Sequence, residues 1–324
     1  MFVEEKNDAE VPVFYDEKFR ARKKHDKYKE VPAPEPALEG PIADTHAHLT
    51  LLAHRDVVLA RAAFYHVDFI CNITDLFEGA DRAYSELDGW RDEAAKQIDS
   101  MFPQSGLVAP RLRLACGCHP HNAKEYNDAM EEALLDKLHD PRTCILGEVG
   151  LDYHYDLSPR DMQREVFRRQ IRLAHSTGLP LALHVREAHD EAMKIMKDEG
   201  FPAAGTILHC FNLGPDELAP WLEEDCYIAF GGPVTFKKAD EVREAAKLVP
   251  ENRLLTETDC PYMTPEPLRG TENGPEYTIF TAAMLAQVRG CEPGQPRERF
   301  LQTVYKNALD LLDREPTAWQ KSAR

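Results

Sequence analysis

Six side chains of two chemical types recur at comparable places in this chain: the imidazoles of His46, His48, His184 and His209, and the carboxylates of Glu148 and Asp259. Each lies at or near the end of a short apolar run: IADTHAHL (42–49), ILGEVGLD (145–152), LALHVR (181–186), TILHCF (206–211) and LLTETDCP (254–261). Imidazole nitrogen and ionised carboxylate oxygen are the donors that hold divalent cations. His46 and His48, two residues apart, project from one face of a strand and can meet one ion without a bend in the backbone. Asp44 shares that face one step back and is expected to support the pair from behind. Glu257 shares a face with Asp259. A lone glutamate after an apolar run would more often cap an element, and a lone histidine would more often sit satisfied in a core. Together they point to one centre, with Glu148 bridging two ions. Four histidines, a glutamate and an aspartate suffice for a two-metal site with a metal-activated water as nucleophile.

Five strands that each deliver a ligand to one place need a scaffold that gathers strand ends. β-type runs at 42–49, 67–74, 112–118, 144–151, 179–186, 205–211, 226–232 and 253–259 alternate with longer polar segments of helical spacing, such as 83–102 and 160–178. The second of these stops at Gly178, just before Pro180. Eight strands alternating with helices predict an α/β fold of the (β/α)8 TIM-barrel type, with chemistry at the carboxyl ends of the strands. Runs apolar on both faces fit parallel strands covered by helices. The segments TIFTAAMLAQVRG and RERFLQTVYKNALDLL read as closing helices. Residues 1–40 differ in character, passing from the mixed charge of EKFRARKKHDKYKE into VPAPEPALEGP. They are expected to form a charged, Pro-rich amino-terminal arm, partly helical and packed outside a single barrel domain spanning 41–324.

Composition narrows the partners. A net charge of −17 over 324 residues repels polyanions except where ions or local cations invert the field. Long non-specific tracking along duplex DNA is therefore not expected. No apolar run approaches the ~20 residues of a membrane span, and the start MFVEEKNDAE lacks the pattern of a signal peptide. The eight cysteines are dispersed through apolar segments, which predicts reduced thiols in a cytoplasmic protein. Cys116 and Cys118 read as two small core residues of one strand.

The blocks DTHAHL (44–49), GCHPHNA (117–123), GEVGLDYHYD (147–156), LPLALHVREAHDEA (179–192), ILHCF (207–211), GGPVTFK (231–237), LLTETDCPYMTP (254–265) and RGTENGPEYT (269–278) resemble, in this order, the TatD family of metal-dependent deoxyribonucleases and related hydrolases. The resemblance covers 42–312. It implies that His46, His48, Glu148 and Asp259 hold one ion, and that Glu148, His184 and His209 hold the other. It further implies that Asp259 takes the proton of the attacking water and that Glu148 and Asp259 are catalytic. His119 would face the pocket and contact the scissile phosphate, while Tyr153, Arg186 and Lys237 would line the substrate groove. The implied cofactors are two divalent ions, Zn²⁺, Mg²⁺ or Mn²⁺. The donor set favours zinc, whereas magnesium or manganese commonly supports activity in the family.

The implied activity is 3′-to-5′ exonucleolytic cleavage of phosphodiester bonds at DNA ends or in a small phosphodiester. The alternative keeps the ions and changes the bond, giving an amide or ester hydrolase (a deacylase) on a small or nucleotide-linked substrate. A non-catalytic barrel is disfavoured by the complete ligand set. No membrane and no stable protein partner are expected, and the chain is expected to be a monomer or a weak homo-oligomer. Three departures from the family pattern stand out. Asn212-Leu213-Gly214 follows HCF where Ser-Gly is common. Thr271 and Glu272 stand where basic residues are usual, and Gly274 replaces a frequent Glu. Lost positive charge at the mouth argues against a long nucleic-acid substrate and leaves the ligand set intact.

Overall fold

The computed structural model describes residues 14–322. Its elements begin with a hairpin of β1 (Phe19–Arg22) and β2 (Tyr28–Val31). The barrel then runs through β3 (Ile42–Ala47), α1 (Arg55–Phe64), β4 (Val67–Asp75), α2 (Ala80–Met101), β5 (Arg111–Gly117) and α3 (Asp128–His139). It continues with β6 (Thr143–Asp152), α4 (Arg160–Thr177), β7 (Leu181–Arg186), α5 (His189–Glu199), β8 (Thr206–Leu208) and α6 (Pro215–Glu223). The last elements are β9 (Tyr227–Phe230), α7 (Asp240–Leu248), β10 (Leu254–Thr256), α8 (Thr278–Val288) and α9 (Gln295–Leu312).

β3 to β10 pair in sequence order, every pair parallel, as eight βα units require. Side chains join the first strand to the last: the Thr256 hydroxyl donates to Ala43 O at 2.7 Å, and the Thr45 hydroxyl donates to Thr256 O at 3.1 Å. One step further on, Asp259 N donates to His46 O at 2.8 Å and His48 N to Cys260 O at 2.9 Å. This is the predicted eight-stranded barrel. Local signals hold its helices in register. Asn127 accepts from the N–H groups of Ala129 and Met130 at the start of α3, and Gly178, at φ 70°, terminates α4.

α9 crosses the amino-terminal end of the barrel. Its Tyr305, Ala308, Leu311 and Leu312 pack on inward residues such as Ala43, Phe69, Cys71, Ile145, Ala182 and Leu255. That end is plugged, so only the carboxyl ends of the strands remain available for a site. Glycine decides how closely two site strands approach. A Cβ at Gly150 of β6 would lie 2.0 Å from His184 O of β7, so no other residue allows this pairing. Cys116 and Cys118 are buried, as expected of core residues, and all eight cysteines are free thiols. Among the described residues no helix is long and apolar enough to cross a membrane.

Two expectations change. The basic stretch of the arm forms a hairpin instead of a helix, with Phe19 opposite Val31 and Arg22 opposite Tyr28. The reason is burial: Phe19 is only 1% exposed, wedged among Tyr65, Tyr277 and Phe280 with ring centroids 4.6–5.3 Å away. Strand alternation places this ring inward while Arg22 points to solvent. Residues 1–13 of the arm lie outside the described residues. The second change concerns strand ends. β8 and β10 stop before His209 and Asp259, whereas β6 runs four residues past Glu148 to Asp152, within a residue of the expected run. Cys210 and Asp259 adopt φ values of 48° and 58°, so the chain turns out of the ladder at these two positions.

Candidate metal centre

The barrel gathers the other five expected ligands around Glu148, which β6 delivers to the axis of the mouth. Its two carboxylate oxygens face different partners. Oε1 lies 2.7 Å from His184 Nδ1, 2.8 Å from His209 Nε2 and 3.7 Å from His119 Nε2. Oε2 lies 3.4 Å from His46 Nε2 and 4.0 Å from His48 Nε2. Asp259 completes this second group, its Oδ1 3.4 Å from His48 Nε2 and 3.9 Å from His46 Nε2.

These spacings have a chemical meaning. Two donors each about 2.1 Å from one ion, at a tetrahedral angle, stand roughly 3.4 Å apart. In the His46, His48, Asp259 and Glu148 Oε2 group the imidazole–carboxylate separations run from 3.4 to 4.0 Å, at or slightly above that spacing. His46 Nε2 is fully buried with no hydrogen-bond partner, an orphan that a cation would satisfy. On the Oε1 side, His184 and His209 instead close directly on the carboxylate, so an ion there would replace two charge-assisted hydrogen bonds. The residues present thus fit an ion at the His46, His48 and Asp259 group as they stand, while an ion on the Oε1 side would require His184 and His209 to move off Glu148.

Around these donors lies an outer layer that sequence reading only partly saw. Asp44 sits beneath His46, accepting from His46 N at 3.2 Å, Thr258 N at 2.9 Å and the Thr258 hydroxyl at 2.5 Å. It therefore clamps β3 to the turn bearing Asp259, the supporting place expected for it. Glu257, also fully buried, accepts from Cys210 N at 2.6 Å and faces His209 Nδ1 at 3.5 Å. Asp152 is the residue that sequence reading passed over. Its Oδ2 accepts from His184 Nε2 at 3.1 Å and His121 Nε2 at 2.9 Å, while Oδ1 accepts from the N–H groups of His154 and Tyr155. The available signal was spacing: 148, 150 and 152 alternate along one strand with a glycine between two acids.

His119 lies beside the cluster in a defined tautomer. Its Nδ1 accepts from His121 N at 3.2 Å, which leaves the ring proton on Nε2, the atom facing Glu148. Burial holds this imidazole well below its usual pKa and hence neutral. In this tautomer His119 presents an N–H to the pocket, and His119, Glu148 and His184 also lie close enough together to hold an ion.

The expected substrate residues separate. Arg186, two residues beyond His184 on the same strand face, rests on the Tyr155 ring at 4.6 Å. No described carboxylate lies within ion-pair distance of it. The Tyr153 hydroxyl donates to Glu191 at 2.5 Å, and Arg160 covers its ring, so Tyr153 is engaged with helices α4 and α5. Lys237 is exposed and no contact joins it to the cluster. In the late loop, Arg269 lies on Phe236 at 3.9 Å. The departure at Gly274 makes room: a Cβ there would meet Glu276 Oε2 at 2.3 Å, and the buried Glu276 carboxylate faces Arg61 at 3.7 Å.

Electrostatics follow the geometry. Burial pushes the Glu148 carboxyl up, but the imidazoles of His209, His46 and His119 and the hydrogen bond from His184 hold it well below its usual range. Burial likewise raises Asp259, and its contact with His48 and the charges of His209 and His46 bring it below normal. His209 lies well above the usual imidazole value because Glu148 and Glu257 outweigh its burial. Burial and the neighbouring His209 hold His46 low. Asp44, with no cation beside it, is pushed up by burial to about 8.

A parallel barrel plugged at one end, with imidazoles and carboxylates converging at the other, defines a metal-dependent hydrolase. Comparison with known proteins agrees and narrows the class. The family described as TatD related DNase matches residues 43–313, and the chain belongs to that family. It is 41% identical over 175 residues to the uncharacterized metal-dependent hydrolase YabD of Bacillus subtilis, covering 54% of this chain and 69% of that protein. It is 31% identical over 283 residues to the human 3′-5′ RNA nuclease TATDN2, covering 86% of this chain but 36% of that protein. The crystal structure of YJJV, a TatD homolog from Escherichia coli k12, superposes with a TM-score of 0.72 at 25% identity, covering 84% of this chain and 98% of that one.

Proposed function

We propose that this hydrolase is a 3′-to-5′ exonuclease that cleaves the terminal phosphodiester of single-stranded DNA, with two divalent ions sharing Glu148. The observation that carries this reading is the division of the Glu148 carboxylate, one oxygen toward His184 and His209 and the other toward His46 and His48. When bound, such a pair of ions activates water and stabilises the attacking and leaving oxygens of an in-line displacement. The protein's own groups do the rest. Asp259, kept ionised, is placed to accept the proton of the attacking water. His119, a neutral donor at Nε2, is placed to hydrogen-bond a non-bridging phosphoryl oxygen as charge develops on it. Arg186, without a carboxylate partner among the described residues, supplies a cation for the strand.

The test is degradation of 3′-labelled and 5′-labelled single-stranded oligonucleotides by metal-stripped protein resupplied with Mg²⁺, Mn²⁺ or Zn²⁺. RNA runs in parallel with DNA, because the activity named for TATDN2 is on RNA. The expected result is metal-dependent shortening from the 3′ end, lost in Glu148→Ala and Asp259→Ala variants that remain folded. No cleavage of either polymer with any ion, in protein that binds two ions, would move the assignment to amide or ester hydrolysis. Near-normal turnover in either variant would remove the proposed catalytic roles.

A further inference from the structure

Among the described residues only two aromatic side chains are strongly exposed, Tyr15 and Tyr262, and Tyr262 alone belongs to the mouth of the barrel. It lies three residues beyond Asp259, on the loop that follows β10. Its ring stands at 73° to the His48 imidazole with centroids 6.2 Å apart, yet 47% of the residue remains open to solvent. Leu51, in the short segment after β3, is also exposed, and Leu51 N donates to His48 O.

The backbone beneath the ring is firmly held. Tyr262 N donates to Asp259 O at 2.9 Å, and the buried amide of Asn273 donates to both Tyr262 O at 2.6 Å and Thr258 O at 2.9 Å. No described residue hydrogen-bonds the Tyr262 hydroxyl. The side chain is therefore positioned through its backbone and presented through its ring. A pre-positioned, exposed aromatic beside a hydrolytic centre is a surface for a flat apolar group.

We propose that Tyr262 is the stacking platform for an unpaired nucleobase of the terminal nucleotide, holding the strand end while its phosphodiester lies on the Glu148 cluster. The proposal rests on the nuclease reading above and specifies how the substrate is gripped. Charge points the same way. A chain of net charge −17 cannot hold a polyanion by its general field, so affinity at the mouth must come from contacts that do not depend on that field. Base–aromatic stacking is such a contact. It tolerates any base because every base has a π face, so the enzyme would read an unpaired end and not a sequence. A base still paired in duplex is stacked on its neighbours and could not reach the ring.

The experiment uses the metal-loaded protein and two single-stranded oligonucleotides that differ only at the 3′ terminus, one ending in a normal nucleotide and one in an abasic deoxyribose. For the native protein, kcat/KM should be about 5- to 150-fold higher on the base-bearing end, the range expected of one stacked base. Tyr262→Phe should keep that ratio, while Tyr262→Leu and Tyr262→Ala, with metal content and melting temperature checked, should bring it toward one. Equal cleavage of both ends by the native protein, or a full ratio in Tyr262→Ala, would overturn the stacking role and leave the nuclease reading standing. Absence of cleavage of any oligonucleotide would overturn both.

Discussion

Asp152 offers the sharpest perturbation, because every lone-pair direction of its carboxylate is assigned. Oδ2 accepts from His121 Nε2 and His184 Nε2, and Oδ1 accepts from the N–H groups of His154 at 3.0 Å and Tyr155 at 2.8 Å. The carboxyl is buried, and hydrogen bonds from His121 and His184 still hold it far below the usual carboxylate range. Asp152→Asn keeps the shape and replaces one acceptor by a donor. If the amide nitrogen faces the histidines, His184 must leave Nε2 unprotonated and carry its proton on Nδ1, the atom directed at Glu148. If the amide flips, the nitrogen faces two backbone N–H donors. The first arrangement keeps a proton on the nitrogen an ion would take, and the second leaves buried N–H donors facing a donor, a loss of about 1–3 kcal/mol, or roughly 5- to 150-fold. Removal of a carboxylate behind a metal-binding histidine typically weakens metal binding about 10- to 100-fold. The affected ion is the one that Glu148 Oε1, His184 and His209 would share. Calorimetric titration of stripped protein with Zn²⁺ or Mn²⁺ should show one of two sites weakened by that factor, with the other little changed. An Asp152→Asn protein binding both ions within about twofold of the native affinity would refute the reasoning.

Two further outcomes follow from the same geometry. Without ions, His209, His184 and His48 titrate above the ordinary imidazole value, because nearby carboxylates more than offset their burial. Their protonation stabilises the metal-free fold fully below about pH 6.5, and this contribution is lost as pH rises through the raised values. Ions need the neutral rings, so loading near neutral pH should release protons and tighten as pH rises. Calorimetry in buffers of different ionisation enthalpy measures this, and zero proton release at pH 7 would contradict it. Phe19→Ala should lower stability by about 3–5 kcal/mol, the usual range for emptying a buried aromatic site, while kcat on an oligonucleotide stays near native. A melting temperature within about 2 °C of native would show that the hairpin contributes little to the fold.

Much of the barrel was legible because each of its signals is local. Double-faced apolar runs mark covered parallel strands, Gly178 before Pro180 marks a helix end, and HxH on a strand marks a shared face. What escaped depends on contacts between distant segments. The basic stretch around Arg20 and Lys29 carries no short-range mark of a hairpin. Its conformation follows from where Phe19 is buried, among residues 46 to 261 positions away.

Asp152 escaped for a related reason. Next to Tyr153 and His154 it reads as the polar edge of a strand, and only the pairing of Gly150 with His184 makes it a central residue. A strand that ended at Glu148 would supply one carboxylate to the mouth and leave His184 Nε2 without its acceptor. Because β6 stays in the ladder for four more residues, the same strand grips both nitrogens of His184, Nδ1 through Glu148 at 2.7 Å and Nε2 through Asp152 at 3.1 Å. Gly150 is the condition for this: with no Cβ, β6 can lie against His184 O while acids on either side of it reach the ring. The ring is therefore oriented before any ion arrives, and the spacing of two acids around one glycine on a single strand orients it.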